Sequence, residues 1–161
     1  MKTILLSIII PLLLLITACS RSSTRSDFAH LGETMAECEK RCGKPVKPPT
    51  GTEAYYRNGD YIIHVTFWNG QAATVSSAKG KPGGTAISHT PLTSAEQETL
   101  LKANDAGSTW SKDKDSDDEM TTWSRADDKA EASYMPKSGI LLVTATAYQE
   151  FLHEQKKQER E

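Results

Sequence analysis

The sequence lacks most of what catalysis and cofactor binding usually require. Its four histidines, His30, His64, His89 and His153, show no HExxH or comparable ligand spacing, so nothing points to a metal centre. Its three cysteines include no Cys-x-x-Cys pair, which removes the dithiol redox and zinc-ribbon classes. There is no Gly-x-Ser-x-Gly elbow for a nucleophilic serine. The glycines between Gly80 and Gly84 lack the Gly-Lys-Ser/Thr ending of a phosphate loop. No cofactor is expected. Excess charge of either sign is also missing: 19 Lys and Arg stand against 21 Asp and Glu, a net charge of −2. That balance disfavours nucleic acid or an anionic lipid surface as the main partner.

What the sequence does hold begins at its first residues. Met1-Lys2 is followed by an apolar run from Ile4 to Ile16, then Thr17, Ala18 and Cys19. This is the n-region, h-region and small-residue cleavage site of a secretory signal. The 13-residue run is short of the roughly 20 residues a membrane-spanning helix needs, and Pro11 interrupts it. Ile16-Thr17-Ala18-Cys19 resembles the lipobox of bacterial lipoproteins. That resemblance implies a signal peptide over residues 1–18, cleavage, and fatty acylation (palmitate and related chains) of Cys19, which tethers the protein to the bilayer. Ser20 after the cysteine resembles the residue found there in outer-membrane lipoproteins, and that resemblance implies the periplasmic side of the outer membrane rather than the inner membrane. Residues 19–29, rich in Ser, Thr and Arg at their start, read as a flexible tether.

Residues 30–152 read as one α+β domain, with short helices packed on antiparallel β-meanders. Thr34 and Glu37 have capping-box spacing before a short helix that Gly43 and Pro45 end. Cys38 and Cys42 lie on that helix at i and i+4. In an oxidising compartment they form either a disulfide or two small apolar residues on a buried face, and i, i+4 geometry in an intact helix opposes bridging.

Three strands follow, near 53–57, 60–68 and 71–78, punctuated by Asn58-Gly59 and Asn69-Gly70. Two-residue turns at those pairs would set Tyr56 beside Tyr61 and Phe67 beside Ala72, with Ile63 and Val65 on the same side. The opposite face would collect Tyr55, Ile62, His64, Thr66, Trp68 and Val75. Either it is an open aromatic platform for a partner, with Tyr55, Ile62, His64 and Trp68 as anchors and Trp110 near them, or the second unit or the carboxy-terminal helix covers it.

The sequence then repeats this order. A glycine- and proline-rich crossing spans 79–91, and Thr93 with Glu96 opens a second helix that Asn104 to Gly107 ends. Strands follow near 120–125, 130–135 and 140–146. This suggests tandem helix-plus-three-strand units over 30–78 and 92–147, and a charged tail over 153–161. Asp113, Asp115 and Asp117 match the first positions of a calcium loop, but Asp118 stands where glycine belongs and Ser124 where a bidentate glutamate is needed. The opening from Gly32-Glu33-Thr34 through Gly43-Lys44-Pro45 into the meander resembles the small outer-membrane lipoprotein A family, itself similar in fold to the β-lactamase inhibitor protein. Taken together, these features lead us to expect a non-catalytic, membrane-tethered module that binds another envelope protein. The alternatives are an inhibitor of a periplasmic hydrolase or a small envelope hydrolase.

Overall fold

A computed structural model describes residues 28–160. The elements run α1 (Met35–Cys42), β1 (Glu53–Asn58), β2 (Tyr61–Trp68), β3 (Gln71–Lys79), α2 (Ser94–Ala103), β4 (Trp110–Lys112), β5 (Thr121–Arg125), β6 (Ala130–Met135), β7 (Ile140–Ala145) and α3 (Thr146–Gln158). The fold is α+β, with helices packed on an antiparallel sheet. Both helix-plus-meander units join one seven-stranded sheet in the order β1-β2-β3-β7-β6-β5-β4. They meet where β3 pairs β7, with Val75 opposite Val143 and Ser77 opposite Leu141. The second unit has four strands, because Trp110–Lys112 adds an edge strand that its sequence does not announce.

The local signals form as chemistry predicts. In both capping boxes the threonine hydroxyl accepts from the backbone three residues on, and that residue's carboxylate reaches back to the threonine N–H. Burial tends to raise the Glu96 pKa, but hydrogen bonds from the Thr93 backbone, Lys79, the Thr93 hydroxyl and Tyr61 outweigh it and hold the group at about 2. Glu96 thus ties the start of α2 to β2 and β3, through Tyr61 Oη at 3.0 Å and Lys79 Nζ at 2.9 Å.

Two register expectations change. At the first turn only Gly59 has positive φ, so Gly59-Asp60 is the loop, as in a II′ turn. Asn58 then faces Tyr61, and Tyr56 faces Ile63 instead of Tyr61. In the second hairpin Asn69 and Gly70 both take positive φ, and Phe67 faces Ala72 as expected. A β-bulge at Thr66/Phe67 then shifts the pairing, so Val65 faces Val75. One extra residue reverses every side chain beyond it, and Val75 lies in the core, not on the opposite face.

The core fills the sheet face that α1 and α2 cover, with Tyr56, Ile63, Val65, Val75, Leu141 and Val143 almost fully buried. Phe28 and Ala29 belong to it as well, so the folded domain begins before residue 30. Trp110 also packs against this core, away from Tyr55 and Trp68, with its indole N–H donating to Leu101 O at 2.8 Å. Cys38 is a fully buried free thiol, and no disulfide joins it to Cys42. The charged tail continues α3 as regular helix to Gln158.

Candidate functional site

The outer face of the sheet is built by strand alternation. Cross-strand pairing lines up Tyr55, His64, Ser76, Leu142, Ser133 and Thr122 in one row over β1, β2, β3, β7, β6 and β5. Beside it runs Glu53, Thr66, Thr74, Thr144, Glu131 and Ser124. Most of these side chains are half-buried, as flat hydroxyl-bearing neighbours shield one another. The surface is therefore rich in hydrogen-bonding groups, with Leu142 near its middle.

The residues singled out from sequence have separate fates on this face. Tyr55 stacks on His64 with ring centroids 4.2 Å apart and planes 14° from parallel. Lys47 Nζ covers the other side of Tyr55 at 3.4 Å from its centroid. Ile62 is 4 % exposed and offers nothing to a partner. Trp68 packs against Tyr148 and Phe151 of α3, at 5.8 and 5.0 Å between centroids. The carboxy-terminal helix thus covers the Trp68 end, while among the described residues no helix lies on the middle of the face. Gln149 of α3 borders the open part beside Ser133, Leu142 and Thr144.

His64 Nε2 is shielded and has no hydrogen-bond partner, since the Glu53 carboxylate at 3.8 Å is too distant for a bond. Burial lowers the His64 pKa, the Glu53 carboxylate opposes this, and Lys47 adds to the lowering. The imidazole is therefore neutral near pH 7. It acts as a stacking platform for Tyr55.

A second polar cluster joins the segment before α1 to the domain. The Glu33 carboxylate accepts from Arg41 Nε at 2.7 Å and from the backbone N–H of His30 at 3.0 Å, and lies 3.7 Å from Cys38 Sγ. The presence of Cys, His and Glu together suggests a nucleophile, but the electrostatics do not. Burial pushes the Cys38 thiol up to about 12, and the adjacent Glu33 carboxylate adds to this. A thiol kept protonated does not attack. The cluster ties His30 and Glu33 to Cys38 and Arg41 of α1.

Among the described residues no group of three or more His, Cys, Asp or Glu is placed to hold a metal ion. The acidic stretch instead serves its own loop. Asp113 accepts from the Ser124 hydroxyl at 3.0 Å, Asp117 caps the Glu119 and Met120 N–H groups, and Glu119 pairs with Lys137 at 2.7 Å. No described helix is long and apolar enough to cross a membrane. Cys19, the signal sequence and the tether before residue 28 lie outside the described residues. No protein-family model matches the chain, and comparison with curated proteins and with solved structures yields no match.

Proposed function

We propose that this protein is a lipid-anchored component of the bacterial cell envelope that binds another envelope protein and performs no chemistry of its own. The anchor is Cys19, read from the lipobox-like Ile16-Thr17-Ala18-Cys19, and two or three acyl chains hold a protein firmly to a bilayer. The observation that carries the binding reading is the row from Tyr55 to Thr122. It is a continuous sheet face spanning six strands, with its aromatic end fixed by stacking and, among the described residues, no helix packed on its middle. Fixed side chains cost little ordering entropy on association.

Two variants test the two halves separately. Cys19→Ser should move the protein from the membrane fraction to the soluble periplasmic fraction and abolish labelling by a fatty-acid analogue. Unchanged membrane association would refute the anchor. Ser76→Arg with Ser133→Arg projects two long cations from the middle of the face without touching the core. Site-directed cross-linking to the identified partner should fall at least about tenfold, or roughly 1.4 kcal/mol, with the melting temperature unchanged. Undiminished cross-linking would assign binding to another surface.

A further inference from the structure

The sheet has two edges, and they are treated differently. The β1 edge is closed by residues 45–50: the Val46 N–H donates to Tyr55 O at 2.8 Å and the Thr50 N–H to Glu53 O at 2.9 Å. Pro45, Pro48 and Pro49 stiffen this strap, and Lys47 lies on the Tyr55 ring. A proline-bearing cover of this kind protects an edge from further pairing.

Among the described residues the β4 edge has no such cover. The Asp113 N–H donates to Thr122 O and the Ala126 N–H to Thr109 O, both at 2.9 Å, while Ser111 sits opposite Ser124. Residues 109, 111 and 113 therefore turn their main-chain groups toward β5. In an antiparallel ladder the intervening residues turn theirs the other way. Trp110 and Lys112 thus present N–H and C=O groups along the free edge.

A groove of about 500 Å³ lies beside those groups, between α2 and the edge strands, lined by Glu98, Leu101, Lys102, Trp110, Lys112 and Trp123 among others. Its indole wall is rigid, because Trp110 Nε1 is held by Leu101 O at 2.8 Å and the Arg125 guanidinium lies 5.8 Å from the ring centroid. The side chains of Trp110 and Lys112 point into it. A strand added to β4 would send every second side chain into this groove. The charges lining the groove balance, Glu98 and Asp105 against Lys102 and Lys112, so the excess that an occupant meets comes from the loop after β4, where Asp113 to Glu119 holds five carboxylates and one lysine. Asp115 and Asp118 in that loop are exposed.

We propose that the free edge of β4 takes an extended, cationic peptide segment of a partner protein as an eighth strand, its alternate side chains seated between α2 and the indoles of Trp110 and Trp123. This is strand addition, in which the main chain supplies affinity and the groove supplies selectivity. It goes beyond the reading above, since it uses a different part of the sheet and holds whether or not Cys19 is acylated.

The probe is an acetylated octapeptide alternating lysine and valine, compared with the same peptide carrying glutamate for lysine. Tryptophan fluorescence should report saturable binding of the lysine peptide, at least about tenfold tighter than the glutamate peptide. Amide exchange at Trp110 and Lys112 should slow at least about tenfold at saturation. Lys112→Pro removes an outward N–H without touching the β4–β5 ladder, and Lys112→Ala controls for the lost charge. The proline variant should bind at least about tenfold more weakly than the alanine variant. No binding at about 1 mM, equal affinity for both peptides, or equal affinity of the two variants would overturn the proposal. So would a sedimenting dimer whose Trp110 and Lys112 amides are protected without peptide, which would assign the edge to a second copy of this chain.

Discussion

Gly139→Ala is expected to lower stability by about 3–5 kcal/mol and the melting temperature by roughly 10–20 °C for a domain of this size. Gly139 ends the turn between β6 and β7, with φ +69° and its N–H on Met135 O at 2.9 Å. An added Cβ would stand 2.5 Å from Thr90 O and 3.1 Å from Thr90 C. Both are backbone atoms, so no side-chain rotation relieves the contact. Thr90 cannot retreat cheaply either. Two residues later the Leu92 N–H donates to the buried Tyr134 hydroxyl at 2.8 Å, and displacement would strain or break that bond. Gly83 isolates the steric part, since it has φ +70° but nothing within 4 Å of its Cβ position. Gly83→Ala should therefore cost only about 1 kcal/mol, the strain of the left-handed backbone. Urea melts of both variants would check this, and equal losses at the two glycines would refute the close approach.

Most signals confined to a few neighbouring residues were legible in the sequence, Asn58-Gly59 being the exception because its loop falls one residue later, and those that depend on pairing or packing were not. Thr34 with Glu37 and Thr93 with Glu96 each specify a helix start through groups three residues apart, and both boxes form. Asn69-Gly70 specifies its turn for the same reason. Val75 turns to the core because of the bulge at Thr66/Phe67, which has no signature in a stretch of alanines and threonines. β4 has no sequence signature because its three residues show no alternation of their own and are ordered by pairing with β5. Asn104 reads as a helix stop, yet its Oδ1 also accepts the Leu31 N–H at 2.9 Å, a contact 73 residues away in sequence.

The same division holds for the candidate sites. The aromatic face was visible as strand alternation, but which of its members are open was decided by partners distant in sequence. Trp68 lies under α3 and Tyr55 lies between Lys47 and His64. Trp110 and Trp123 gain their groove only because α2 crosses beside a strand that the sequence did not disclose.

Tyr56→Ala should be about as costly as Gly139→Ala, near 3–5 kcal/mol, but through lost packing. Tyr56 is fully buried and faces Ile63 across the β1–β2 pair beneath α1. That helix has eight residues, of which only Cys38 is buried, and isolated helices of that length do not hold themselves together. Its stability therefore depends on what it rests upon, and truncating Tyr56 removes a principal support. The hydroxyl matters far less, because its bond to Met35 O is 3.5 Å long, at the limit of such interactions. Tyr56→Phe should accordingly lose under about 1 kcal/mol. The alanine variant should also loosen α1 before the rest of the domain unfolds. Cys38, buried and held protonated in the native state, would then become accessible to a thiol reagent at neutral pH. Peptide mapping after brief labelling should find Cys38 modified at least about tenfold faster in Tyr56→Ala than in the wild type or Tyr56→Phe. Equal labelling in all three would show that α1 is held by contacts other than this ring.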